Sequence, residues 1–324
     1  MNKLNLKKVS AQIRKHKRFL ISVHTSPEGD ALGSELAFYH LLRKLGKYPI
    51  VINEDPVPQE YIHLPLIEKV QHYKKNIIVD FDCLVILDCS DFKRTGEVYK
   101  LNKNNMPVIN IDHHISNDYF GTVNLVDPDA SSASEIVFRL YKEMHVPFDK
   151  TSALLLYVGM MTDTGSFRYT NTTGFTHQAV AELMKFSFNV RLVYKTIYEN
   201  IPFNELKLLA KILAHIKCSG DGKIVWIEIP SSMLGHDQLS FDLTEQILSF
   251  ARMTKDAQVV ALFKENFGSR NEIRFNLRSY GAVDVNKIAR YFGGGGHKTA
   301  SGCTMSGRLK EVRKKVLAKI KESF

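Results

Sequence analysis

The segment Met106-Pro107-Val108-Ile109-Asn110-Ile111-Asp112-His113-His114 constrains this chain more than any other, because an apolar β-type run ends abruptly in an acid and two imidazoles. It predicts a buried strand that delivers chemistry at its carboxyl end. In an open parallel sheet, ligands collect outside the C-terminal ends of the strands, where loops diverge and helix N-termini point inward. Two other runs end the same way. Phe19 to Val23 leads into His24 and then Pro27, Glu28, Gly29 and Asp30, and Cys83 to Leu87 leads into Asp88. The apolar segment from Ala153 to Met161 stops just before Asp163.

Taken one at a time, these residues have ordinary readings: an aspartate at a strand end caps the next helix, and a histidine is simply packed. Four such endings in one domain are harder to dismiss. Carboxylates with neutral imidazoles suit a pair of six-coordinate, Mn²⁺-like ions rather than structural zinc, for which thiolates are usual. A carboxylate such as Asp88 can bridge two ions. Ions about 3.5–4 Å apart clamp both the attacking and the leaving oxygen of an in-line displacement at phosphorus.

These residues resemble the DHH phosphoesterases. The family's first motif is similar to His24-Thr25-Ser26-Pro27-Glu28-Gly29-Asp30-Ala31-Leu32-Gly33-Ser34, its second to Leu87-Asp88, its third to Asp112-His113-His114 and its fourth to Asp163-Thr164-Gly165. The glycine-rich motif of the associated C-terminal domain, DHHA1, is similar to Gly293 to His297 with Ala300-Ser301-Gly302 behind it. Glu28 stands where the family usually has Asp, which keeps the carboxylate but moves it by one methylene.

The resemblance implies a ligand set. His24, Glu28 and Asp88 would hold one divalent ion, and Asp30, Asp88, His113 and Asp163 the other. Mn²⁺ is the expected metal, with Mg²⁺ or Co²⁺ as weaker substitutes. Asp112 would orient the neighbouring imidazoles, while His114 would contact the scissile phosphate or protonate the leaving oxygen.

At 324 residues the chain exceeds a single core, and 44% hydrophobic with 24% charged residues is an ordinary globular composition. The basic N-terminus is followed by no uninterrupted apolar stretch, and no run approaches the roughly 20 apolar residues of a membrane span. Cys83, Cys89, Cys218 and Cys303 show no CxxC spacing and read as reduced thiols of a cytoplasmic protein.

Periodicity predicts helices over Leu4 to Lys17 and Ala31 to Leu45, the latter stopped by Gly46, then a strand over Tyr48 to Asn53. Strand–helix alternation to about residue 187 is the pattern of a doubly wound parallel sheet. The turn Asp127 to Glu135 opens another helix, and Ser131 and Ser132 read either as its N-cap or as part of a helix N-terminus offering N–H groups to a phosphate. Arg168 reads either as a substrate contact or, more simply, as a surface ion pair. The expected organisation is a metal-bearing domain over 1–187, a helical linker over 188–202 and a smaller mixed α/β domain over 203–324.

The basic charge belongs to the second domain. Residues 205–324 carry 20 Lys/Arg against 12 Asp/Glu, whereas residues 1–204 carry 24 against 22. That excess fits an anionic partner, although the basic cluster from Arg308 to Lys321 reads as the solvated face of a terminal helix. Ile273 to Arg278 alternates cleanly, placing Arg274, Asn276 and Arg278 on the non-core face. A guanidinium matches phosphate geometry, so Arg278 beside Ser279 is the best single phosphate ligand in the sequence. Gly294, Gly295 and Gly296 would let backbone approach a ligand, with His297 next to them.

By length and two-domain layout the chain resembles the family's nanoRNase and pAp phosphatase group, which implies hydrolysis of phosphoesters in nanoRNA and/or of 3′-phosphoadenosine-5′-phosphate (pAp) to AMP by two-metal activation of water, with short single-stranded RNA or DNA held across a cleft. A homodimer is compatible with this reading. Within the family, the stand-alone phosphodiesterases acting on cyclic di-AMP or its linear product pApA share the layout. From another class, a non-catalytic nucleotide- or RNA-binding module on the same fold is the alternative.

Overall fold

A computed structural model describes residues 3–234, 241–265 and 271–324. The chain divides into two compact units, Met1–Asn200 and Ile201–Phe324. In the first, helix α1 (Lys3–Lys15) leads to β1 (Arg18–Ser22), then α2 (Gly29–Lys44), β2 (Tyr48–Asn53), β3 (Val70–His72), β4 (Cys83–Leu87), β5 (Val108–Asp112) and β6 (Val123–Val126). Helices α3 (Ala133–Glu143), α4 (Lys150–Asp163), α5 (Gly174–Leu183) and α6 (Val190–Tyr198) follow. All six strands are parallel, in the order β3-β2-β1-β4-β5-β6. That is the order of a doubly wound sheet, and it puts the switch point between β1 and β4.

The centre of this sheet is apolar because it is covered on both sides. Every residue of β4 and β5 is buried. One face packs against α1 to α4 through a large cluster that includes Phe19, Ile21, Val85, Ile109, Leu36, Leu41 and Leu156. The other face, with Leu20, Leu84 and Ile86, departs from the expected alternation, since the β4–β5 connection supplies only the 3₁₀ turns Phe92–Thr95 and Val98–Leu101. Gly96, Asn102, Asn104 and Asn105 break that stretch before a helical stripe can form.

Helices α2 and α4 touch backbone to backbone. A methyl group on Gly159 would land on Ser134 and on the Asp30 carboxylate. This close approach brings the first turn of α2 against the start of α3. Helix α6, inside the expected linker, buries Ile197 in the first unit's core.

The second unit runs α7 (Phe203–Leu213), β7 (Lys217–Cys218), β8 (Ile224–Ile229), α8 (Ser231–Leu234), α9 (Phe241–Arg252), β9 (Val259–Glu265), β10 (Glu272–Ser279), α10 (Val285–Tyr291), β11 (Gly295–Gly296), β12 (Ala300–Ser306) and α11 (Leu309–Lys321). Its strands form a mixed sheet, β11-β12-β10-β9-β8-β7, in which only β8 and β9 pair in parallel among the described residues. Helices α7 and α9 cover one face, α10 and α11 the other. On β10, Ile273, Phe275 and Leu277 are buried, as the alternation predicts. Helix α11 buries Val312, Val316 and Ile320 and turns Lys310, Lys314, Lys315 and Lys321 to solvent.

One cap in the first unit yields a stability prediction. Asp149 opens α4 with a capping box: its carboxylate accepts from the Ser152 N–H at 2.9 Å, and the Ser152 hydroxyl accepts from the Asp149 N–H at 2.9 Å. Partial burial opposes its charge, but Lys44 and His40, each 2.8 Å away, and the Ser152 N–H hold its carboxyl well below the usual range. A depressed folded pKa stabilises above the unfolded value near 4 and stops doing so as pH falls below it. Asp149→Ala should therefore cost about 1 kcal/mol in urea unfolding at pH 7, and the difference should shrink below about pH 4. An undiminished difference in acid would assign the effect to the neutral cap geometry instead.

Candidate metal centre

Three strand ends meet at the switch point. β1 passes the chain to His24, β4 to Asp88, and β5 ends in Asp112 ahead of His113 and His114. Asp88 adopts a left-handed φ of 51°, a conformation that costs a non-glycine residue about 1 kcal/mol or more. Its N–H still donates to the Ile111 carbonyl at 3.0 Å, so the ladder continues through the turn.

The carboxylate of Asp88 lies buried among imidazoles. Its Oδ1 is 3.5 Å from His113 Nε2 and 3.7 Å from His114 Nδ1, and its Oδ2 is 3.6 Å from His24 Nε2. Asp163, at the end of α4, reaches within 3.7 Å of His113 Nε2. Candidate donor atoms of Asp88, His113 and His114 all lie within 4.8 Å of one another. These separations exceed good hydrogen bonds. The pairs Asp88 Oδ1 with His113 and Asp88 Oδ2 with His24 each suit donors on one ion, whose bonds of about 2.1 Å set neighbouring ligand atoms roughly 3–3.6 Å apart, whereas His114 Nδ1 is held by Asp112. Asp88 Oδ1, though buried, makes no hydrogen bond of normal length among the described residues. His24 Nδ1 lies 2.7 Å from the Thr25 carbonyl, which fixes the proton there and leaves the Nε2 lone pair towards Asp88.

Asp112 is fully buried and serves the imidazoles rather than an ion. Its Oδ1 accepts from His114 Nδ1 at 2.6 Å and its Oδ2 from Asn117 Nδ2 at 2.5 Å. Asn117 also donates to the Cys89 carbonyl at 3.2 Å and accepts from Asn110 Nδ2 at 2.9 Å. Sequence reasoning missed Asn117. The signal available was a polar residue three positions after His114, too common in loops to single out.

Asp30 has a role that its motif does not announce. Its two oxygens accept the N–H groups of Ala133 and Ser134 at 2.6 and 2.9 Å, capping α3 from 103 residues away. Ser131 and Ser132 also have partners within the protein. Both are fully buried, the Ser132 hydroxyl accepts from the Glu135 N–H, and the Ser131 hydroxyl donates to the Glu135 carboxylate. The helix start is filled by the protein's own acids.

The remaining residues divide. Glu28 is exposed at the N-cap of α2, and its charge acts on His24. Arg168 Nε donates to the Gly165 carbonyl at 2.7 Å, so the expected surface ion pair is replaced by a turn contact. In the second unit, Arg278 is ion-paired with Glu245 and donates to its neighbour Leu277's carbonyl at 3.0 Å. The Ser279 hydroxyl is buried and donates to the Val283 carbonyl at 2.7 Å. Gly295 and Gly296 pair with Gly302 and Ser301, and side chains at Gly294 or Gly296 would strike the β12 backbone. The Gly294 N–H is taken by the Ala289 carbonyl at 2.8 Å. His297 closes the turn, its N–H donating to the Ala300 carbonyl at 2.7 Å, and is half-buried beside open space at Gly295.

Electrostatics in the first unit fit a dication. Burial works to lower His113 and His24, but the acids around them win: Asp163 and Asp88 hold His113 well above the usual imidazole range, and Asp88 raises His24. Burial also disfavours the charge of Asp88, yet His113 and His24 keep it well below the carboxylate range. Burial, aided by the charge on Asp88, pushes Asp30 and Asp163 up to about 7.

Models of the DHH family N-terminal domain and of the DHHA1 domain match residues 18–160 and 224–324. The bifunctional oligoribonuclease and PAP phosphatase NrnA of Thermus thermophilus is 30% identical over 312 residues, covering 94% of this chain and 89% of that protein. Its namesake in Bacillus subtilis is 26% identical over 288 residues, 87% of each chain. The crystal structure of an exopolyphosphatase-related protein from Bacteroides fragilis matches with a TM-score of 0.90 at 26% identity, covering 99% and 96% of the two chains. A parallel sheet with acids and imidazoles gathered at its switch point, followed by a mixed-sheet unit, is here the architecture of a hydrolase of phosphoester bonds. The chain belongs to the DHH family and carries a DHHA1 domain in its second unit. No helix among the described residues is long and apolar enough to cross a membrane.

Two measurements follow from this geometry. Ligation needs neutral imidazoles and ionised carboxylates, whereas His24, His113, Asp30 and Asp163 have raised pKa values before metal binds. Mn²⁺ binding should release protons and tighten as pH rises from about 6 to 8. Calorimetry in buffers of different ionisation heat reads the release directly, and a buffer-independent heat would count against this ligand set. Separately, Asn117→Ala should lower kcat about 10–100-fold with Mn²⁺ affinity little changed, because it frees Asp112 to misorient His114. A loss confined to KM would place Asn117 in substrate binding.

Proposed function

We propose that this chain hydrolyses phosphoester bonds in very short oligonucleotides and in pAp, using two divalent ions, Mn²⁺ by preference. The observation that carries this reading is the Asp88 carboxylate set 3.5–3.7 Å from three imidazoles at the switch point of the sheet. Relatives named oligoribonuclease and PAP phosphatase, similar over nearly the whole chain, support the substrate class.

His24 and Asp88 would hold one ion, with Glu28 as its exposed third candidate, and Asp88, His113, Asp163 and Asp30 the other. The ions would supply positive charge to the phosphoryl oxygens and acidify the attacking water. The protein's own part is positioning. Asp112 keeps the His114 proton on Nδ1, so that Nε2 is the atom available to the phosphate or the leaving oxygen. Thr25 does the same for His24. Burial of Asp88 and Asp112 keeps solvent from competing with these contacts. In the second unit, Arg278 and His297 would bind a phosphate or base remote from the scissile bond, which raises kcat/KM by fixing the reacting phosphorus.

A substrate panel tests this. Chelator should abolish activity and Mn²⁺ should restore it best, while Asp88→Ala should abolish it outright. Dinucleotides, pAp, pApA, cyclic di-AMP and long single strands, compared by kcat/KM, should rank the first two highest. Arg278→Ala should lower kcat/KM for dinucleotides at least about tenfold, roughly 1.4 kcal/mol, and barely alter bis-p-nitrophenyl phosphate. Full turnover in excess chelator would overturn the metal mechanism, and a preference for cyclic di-AMP would reassign the substrate.

A further inference from the structure

Helix α2 carries a second buried acid that the chemistry above does not use. Glu35 is fully buried, five residues beyond Asp30 and so about one and a half turns further into the protein. Its Oε1 accepts from Asn53 Nδ2 at 2.8 Å, and its Oε2 makes no hydrogen bond among the described residues. Asn53 is the last residue of β2 and is itself buried. Its Oδ1 stands 3.4 Å from the Val23 N–H and 3.4 Å from the Ser22 hydroxyl, at the end of β1. The next residue is His24.

Such an acid is an expensive way to fill a core position. Burial pushes Glu35 up to about 8, with only the Asn53 amide pulling the other way, so near neutral pH it is chiefly a neutral acid with one hydrogen bond. An apolar side chain of the same size would avoid desolvating a carboxyl at all. What the acid provides is a tie between elements. It fastens α2, which delivers Asp30, to the ends of β1 and β2, where the chain turns to deliver His24. On the far side of His24, the Thr25 N–H is held by the Arg94 carbonyl at 2.7 Å, so the histidine would be tethered on both flanks.

We propose that Glu35 and Asn53 form a buried cross-brace that positions His24 against Asp30, making both of them positioning residues for the metal centre. This rests on reading His24 and Asp30 as ligands. The charged-to-neutral state of Glu35 is incidental, because the brace needs only an acceptor for the Asn53 amide.

The test compares full-length wild type with Glu35→Gln, Glu35→Leu and Asn53→Ala, stripped of metal and titrated with Mn²⁺ by calorimetry, with Tm measured alongside. Glu35→Gln keeps the acceptor, so Mn²⁺ affinity should stay within about twofold and Tm should not fall; Glu35→Leu and Asn53→Ala should weaken Mn²⁺ at least about tenfold. In Glu35→Leu the removal of a desolvated acid offsets the cost of leaving the Asn53 amide unpaired, so Tm should change little beside the loss of affinity. A purely structural role would move Tm and leave affinity alone. Wild-type affinity in Glu35→Leu overturns the brace, and if that variant does not fold, wild-type affinity in Asn53→Ala does so. A wild-type protein that binds no Mn²⁺ removes the ligand reading itself, a failure distinct from that of the brace.

Discussion

Everything at the switch point depends on one buried carboxylate. Asp88 is held in a left-handed turn, 5% exposed, with an imidazole facing each oxygen. A lone carboxylate there would be neutralised by desolvation, and burial does push its neighbours Asp30 and Asp163 to about 7. Asp88 keeps its charge because His113 and His24 face its two oxygens. The acids and imidazoles of this cluster stand 3.5–3.7 Å apart, so each imidazole lowers the cost of burying the acid it faces.

The same residues tie this chemistry to the fold. Asp30 lies beside the cluster and also caps α3, where its charge sits at the positive end of the helix dipole. It can do both only because Gly159 lets α2 and α4 approach without an intervening side chain. Stability of the α2–α3–α4 layer and geometry of the metal centre are therefore not separable properties here. A substitution that loosened the helix packing would displace a candidate ligand before it unfolded anything.

Legibility in the sequence followed the range of the interactions. The strands β1, β2, β4 and β5 and the helix stopped by Gly46 were readable because hydrophobic periodicity is local. His24, Asp88 and the run Asp112 to His114 stood out because each lies at or just beyond a strand end, and Asp163 because it closes an apolar helix. What escaped were pairings across long stretches of chain. Asp30 with Ala133, Glu35 with Asn53 and Arg278 with Glu245 have no trace in the local pattern. Ser131 and Ser132 show the consequence. Their sequence permits a cap or an anion site, and only a distant acid decides between them. The 3₁₀ turns between β4 and β5 escaped for another reason, since an expected alternation stood in for a helical stripe that residues 91–105 do not have.

Arg278 shows how far a residue type carries an argument about binding. Its side chain is 16% exposed and already neutralised by Glu245, so a phosphate approaching it must displace a carboxylate rather than meet an open cation. The exchange trades one anion for another on the same guanidinium fork, and its net gain is smaller than that of binding to an unpaired arginine. It also makes the site discriminating. An anion that offers only charge gains little over Glu245, whereas one that brings further contacts, such as a phosphate joined to a base and sugar, can win the exchange. At the proposed site a paired arginine would therefore favour nucleotides over inorganic anions, for a physical reason that the basic composition of the second unit does not supply.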